Sequence, residues 1–116
     1  KEVSAASVDG QLMAASVTTR AALPEVFSLS QNYPNPFNPE TNIEFALPIP
    51  ASVKLAVYNV LGEQIITLVQ GEYPAGEHRV TWRGTDQYGE SVASGVYFYR
   101  LETPTNTTTR KMMLMK

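Results

Sequence analysis

The chain has no cysteine. That removes disulfide staples, thiolate nucleophiles and cysteine-ligated metal, yet leaves the redox compartment open, since a cysteine-free protein can still be exported. There is one histidine, His78, so no histidine cluster is available for a metal or a proton relay. No apolar run approaches the roughly 20 residues that a membrane-spanning helix needs. The first residues lack the charged-then-apolar order of a signal peptide, so an exported form would carry its N-terminal address elsewhere. A surplus of positive charge is also missing. Nine Lys and Arg stand against 11 Asp and Glu, a formal net charge of −2, which gives no footprint for nucleic acid. The nucleophile elbow, the phosphate-binding loop, the dinucleotide glycine signature and the HExxH zinc motif are all absent. These absences argue against an independent enzyme, and no cofactor is expected.

What remains is 116 residues, 43% of them hydrophobic, enough for one compact domain with a modest extension. Residues 1–22 are rich in Ala, Ser, Val and Thr and contain neither proline nor aromatic residue, with one turn signal at Asp9-Gly10. They read as a linker or as the tail of a preceding cargo domain. The texture changes near Leu23, and residues 23–116 are expected to be the domain.

Within it, Tyr33 to Pro39 carries prolines at 34, 36 and 39. These fix φ three times, bias the residues before them away from helix and predict a rigid, largely extended loop whose Tyr33 and Phe37 cover apolar surface. Alternating apolar residues then recur in short segments: Ile43, Phe45 and Leu47; Val53, Leu55 and Val57; Gln64 to Val69; and His78, Val80 and Trp82. Turn chemistry separates them at Pro48-Ile49-Pro50, Asn59-Val60-Leu61-Gly62 and Pro74-Ala75-Gly76. In Val96 to Leu101 both faces are bulky, as in a central strand with one face in the core. Seven strands, around 27–29, 41–47, 53–58, 64–69, 77–82, 95–101 and 109–115, predict an all-β, immunoglobulin-like antiparallel sandwich.

Chemistry-bearing residues are sparse. Trp82 is the largest candidate core anchor. Asp86 and Glu90 lie in a polar loop, but two carboxylates without further donors describe a turn better than a calcium site. Tyr97 and Tyr99 could stack on sugars or pack in the core. The Asn106-Thr107-Thr108 sequon has meaning only in a eukaryotic secretory route. The most uneven feature is the end: Arg110, Lys111 and Lys116 put three bases and no acid in the last seven residues. Such a tail is either a partner signal or an edge strand whose cations resist aggregation.

Asn32-Tyr33-Pro34-Asn35-Pro36-Phe37-Asn38-Pro39-Glu40-Thr41, then Val57-Tyr58-Asn59-Val60-Leu61-Gly62, resembles the type A C-terminal sorting domain family of the type nine secretion system. The likeness continues through Pro74-Ala75-Gly76-Glu77-His78 and Ala93 to Leu101, and ends at Arg110-Lys111-Met112-Met113-Leu114-Met115-Lys116. It spans about residues 27–116, and a related fold occurs in the immunoglobulin-like domain of flagellar hook-capping proteins.

This resemblance implies a non-catalytic address on a larger protein of a Bacteroidetes-like bacterium. Sec export would bring the protein to the periplasm, and the outer-membrane translocon would then pass it to the cell surface or medium. The implied partners are that translocon, a surface sortase-like peptidase and an N-terminal cargo domain. The residues it singles out are Gly95, Tyr97, Tyr99, Arg110, Lys111, Met112, Met113, Leu114, Met115 and Lys116, with the tail displayed as a terminal strand able to add to a receptor sheet. Three methionines stand where aliphatic residues would serve, which softens packing there. A structural or carbohydrate-binding sandwich appended to a secreted enzyme is the alternative reading.

Overall fold

The computed structural model describes residues 24–116, so the expectations for residues 1–22 lie outside the described residues. Seven strands form: β1 Ser28–Leu29, β2 Thr41–Leu47, β3 Ala51–Tyr58, β4 Gln64–Tyr73, β5 Gly76–Trp82, β6 Gly95–Glu102 and β7 Thr107–Leu114. They make two antiparallel sheets, in the orders β1-β2-β5 and β4-β3-β6-β7. The architecture is the expected immunoglobulin-like sandwich. No helix among the described residues is long and apolar enough to cross a membrane.

Side-chain alternation builds the core as the period-two pattern requires. Ile43, Phe45 and Leu47 of β2 face Val53, Leu55 and Val57 of β3, Tyr97, Tyr99 and Leu101 of β6, and Met112 and Leu114 of β7, all buried. Trp82, 1% exposed, sits between the rings of Phe37 and Tyr97, each 5.5 Å away centroid to centroid. Its indole N–H donates to the Thr85 carbonyl at 2.8 Å, so burial leaves no orphan donor. His78 packs on Phe45 and donates through Nε2 to the Pro74 carbonyl at 2.8 Å.

Three strands run two or more residues further at one end than their apolar patterns indicate. β3 begins at Ala51, β4 continues through Gln70, Gly71 and Glu72 to Tyr73, and β7 begins at Thr107. In each case backbone pairing with a neighbour, Ala51 to Tyr73 and Glu102 to Thr107, extends the ladder through residues that break the apolar alternation. The β3–β4 tip is held by Asn59, whose Oδ1 accepts from the N–H groups of Leu61 and Glu63, both at 2.9 Å. Asp86 behaves alike, its Oδ1 accepting from the Tyr88 and Glu90 N–H groups, so its carboxylate serves a turn.

The Asn-Pro loop departs from expectation. It is bent at Pro34 to Pro36 and again at Asn38-Pro39, and it turns only Phe37 inward, leaving Tyr33 79% exposed. A buried polar knot causes the bend. Thr41 Oγ1 donates to the Pro34 carbonyl at 2.8 Å, and Asn32 Nδ2 donates to Thr41 Oγ1 at 2.9 Å and to the same carbonyl at 3.1 Å. The loop's first half is thereby folded back on the start of β2.

The chain crosses the sandwich from end to end. At the entry end Ser28 pairs with Ala46 and Leu47 with Gly76. At the exit end Thr41 pairs with Trp82 and Leu114 with Gly95. Gly84 lies there too, its φ of +71° favouring glycine, and a Cβ would stand close against Leu114 Cδ2 at 3.3 Å and touch the Pro39 carbonyl oxygen at 3.5 Å.

Truncating Trp82 to alanine removes the centre of this packing. The expected loss is about 3–5 kcal/mol, read as a lower urea midpoint at unchanged m; an unchanged midpoint would contradict the core role.

Candidate functional site: the last strand and the loop that clamps it

The residues singled out by the sequence meet on two adjacent strands. Gly95 pairs with Leu114, Tyr97 with Met112 and Tyr99 with Arg110. The sheet then divides them by face. Met112 and Leu114 point into the core, while Met113 and Met115 are exposed, and Lys111 and Lys116 are exposed with them. Among the described residues no carboxylate pairs with either lysine. The outward face is therefore a strip of apolar, polarizable side chains bounded by two cations.

Tyr97 and Tyr99 lie inside the sandwich and not on its surface. Their rings are 7% and 0% exposed, because β6 is a central strand and odd-numbered positions on it face Trp82 and the opposite sheet. Tyr97 donates its hydroxyl to the Ala93 carbonyl at 2.6 Å, and burial raises its pKa. Tyr99 donates to the Ser30 carbonyl at 2.6 Å and accepts from the Asn32 N–H at 2.8 Å. Burial pushes its pKa up to about 12, against the opposing pull of the Asn32 N–H and the Arg110 charge. Both tyrosines hold the fold that displays the strip. Gly95 has φ of +151° with open space around it, so glycine is demanded there by backbone conformation. Arg110 donates through Nε to the Leu29 carbonyl, tying β7 to β1 and closing that side of the sandwich.

The tail also differs from a strand free to add to another sheet. β7 is an edge strand, yet from Lys111 onward its outward backbone groups are largely occupied. Phe37 N–H donates to the Met113 carbonyl at 3.0 Å, and Met115 N–H donates to the Phe37 carbonyl at 2.9 Å. Asn35 Oδ1 accepts from Met113 N–H at 3.0 Å, and Gln31 Nε2 donates to the Lys111 carbonyl at 2.7 Å. The loop so covers the edge, one of the ways natural sheets avoid unwanted pairing. What it leaves open is a side-chain surface. Asn35, Pro36, Val96, Lys111, Met112 and Met113 line a mostly apolar cleft of about 200 Å³ between loop and strand.

Gln31, Asn35, Pro36, Phe37 and Val96 are the members of this site that sequence reasoning missed. The signal was present as one aromatic ring inside an Asn-Pro run. No spacing rule connects residue 37 to a strand more than seventy positions later.

Residues 32–107 match the family model described as the FlgD Ig-like domain. Among solved structures, dimeric latent PorU from Porphyromonas gingivalis is 19% identical with a TM-score of 0.63, the match covering 79% of this chain and 9% of that one. FlgD from P. aeruginosa is 24% identical with a TM-score of 0.50, the match covering 64% of this chain and 58% of that one. The chain thus spans less than two thirds of either structure's length, and the likeness is one of fold. No curated protein matches the chain.

Two outcomes test this geometry. Replacing Asn35 with alanine removes the acceptor for Met113 N–H, so hydrogen exchange at Met113 should accelerate selectively while the amides of β3 remain protected; equal protection would refute the clamp. For Tyr99 the fold selects the neutral phenol, so its contribution is complete below pH about 10 and declines as pH rises toward about 12. Stability of the wild type should therefore fall over that interval more steeply than that of Tyr99→Phe, measured by urea unfolding at stepped pH; parallel curves would refute the assignment.

Proposed function

The chain belongs to the FlgD Ig-like domain family, and from that premise we propose that it is a non-catalytic sorting domain, read by the type nine outer-membrane secretion machinery. The family fold serves more than one task, so the task must be argued from the site. The observation that carries the reading is the clamped tail: Lys111, Met113, Met115 and Lys116 on one solvent-facing strip beside an apolar cleft. Such a strip fits a partner that offers apolar side chains within an acidic rim. The ordered motifs from Asn32 to Lys116, with their resemblance to sorting domains, support taking that partner to be the translocon.

In this reading the cargo precedes the domain, passes through the periplasm after Sec export and ends at the cell surface or in the medium. Cleavage and attachment are the work of a sortase-like peptidase. Recognition proceeds through side chains presented by a pre-formed strand. Because the strip is already ordered, binding spends little on immobilising it. The cations speed encounter with an acidic partner, and the methionines adapt to the contact surface.

The test is export of an inert reporter fused ahead of the whole 116-residue chain, behind a Sec signal, in a bacterium with a working type nine system. Deleting residues 110–116 would also remove buried Met112 and Leu114, so the decisive variant is Lys111→Glu with Lys116→Glu. The wild-type fusion should reach the surface or medium, and the charge-reversed fusion should stay in the periplasm with an unchanged melting temperature. Export of both alike would remove the tail from recognition, and periplasmic retention of both would overturn the sorting reading.

A further inference from the structure

Tyr33 is the one aromatic residue of the Asn-Pro run that neither the core nor the clamp uses. It is 79% exposed, yet its backbone is fixed, with N–H and carbonyl both bonded to Asn42 at 2.9 Å. Its side chain borders a hollow of about 300 Å³ on the outer side of the smaller sheet, shared with Gln31, Asn42, Glu44 and Arg79. The volume lies at the lower end of the range for ligand clefts.

The polar walls are partly committed, and this sets what they can still offer. Gln31 spends its amide N–H groups on Asn32 Oδ1 and the Lys111 carbonyl, both at 2.7 Å, which leaves its side-chain oxygen as an acceptor. Asn42 Oδ1 accepts from Thr81 at 2.7 Å, which leaves its NH₂ as a donor. Arg79 Nε and Nη2 both bind Glu44 Oε2, at 3.0 and 2.8 Å. Glu44 Oε1 and Arg79 Nη1 have no side-chain partner among the described residues. Around one aromatic ring the hollow thus offers two acceptors and two donors, and the Glu44–Arg79 pair cancels its own charge.

We propose that this hollow is a binding subsite for a neutral oligosaccharide. A sugar ring presents an apolar C–H face and a periphery of hydroxyls that each donate and accept. An exposed, fixed tyrosine meets the first requirement, and the four unspent amide, carboxylate and guanidinium positions meet the second. Zero net charge in the hollow selects against anionic polymers. Glu44 also borders a second hollow of about 90 Å³ lined by Ser28, Ser30, Phe45, Ala46 and Glu77. The trough therefore continues along the sheet, as a chain of sugars would need. The hollow shares Gln31 with the clamp on β7 but none of the exposed side chains of Lys111, Met113, Met115 and Lys116, so a glycan and a translocon could engage the same domain.

The experiment is isothermal titration of the full 116-residue chain with cellohexaose, mannohexaose and xylohexaose, and separately with polygalacturonate. At least one neutral hexasaccharide should bind saturably. Tyr33→Ala should weaken it by about tenfold, which corresponds to about 1.4 kcal/mol, with the melting temperature unchanged because the ring is exposed. Tyr33→Trp should retain binding, and Asn42→Ala should reduce it. Absence of binding to all three neutral hexasaccharides, binding only to polygalacturonate, or affinity indifferent to Tyr33→Ala would each overturn the proposal.

Discussion

The hydroxyl of Tyr99 joins the two sheets. It projects from β6 and bonds both the Ser30 carbonyl and the Asn32 N–H, backbone groups of the segment leaving β1. Without it the buried Asn32 N–H would be an orphan, costing roughly 1–3 kcal/mol, so the chain is held to one path between the sheets. Asn32 then bonds Thr41, both share the Pro34 carbonyl, and the loop must turn back. That turn brings Phe37 against Trp82 and lays its backbone along β7. The ordered edge, the exposed strip and the cleft beside it all depend on this short chain of buried polar contacts.

The sheets were largely legible in the sequence, and the reason is local. Strands such as Val53 to Val57 and Val96 to Leu101 report burial by alternation, and each is ended by residues whose own backbone chemistry makes a turn. Strand limits failed where pairing runs through residues without apolar side chains, as at Gln70 to Glu72 and Thr107-Thr108. The inward and outward methionines of β7 were likewise readable from parity alone.

The site was legible only in part. Lys111 and Lys116 stand out as uncompensated charge, and Met113 and Met115 follow from alternation. The clamp does not, because it consists of backbone and amide bonds between segments far apart in sequence. Proline content suggested an extended loop, but a proline restricts φ without saying which carbonyl will be captured by a distant threonine. Tyr97 and Tyr99 illustrate the same limit. An aromatic residue on a strand is equally suited to recognition and to packing until the sheet order shows which face is enclosed.

The entry and exit of the chain lie at opposite ends of the sandwich, separated by the seven residues of β2, about 20 Å at the rise of an extended strand. The start of β1 is thus held a fixed distance from the surface bearing Met115 and Lys116. The domain acts as a rigid stand-off. If the strip is read as proposed, its reader meets the same leading surface whatever is fused to the other end, so a label of this geometry can be indifferent to what it labels.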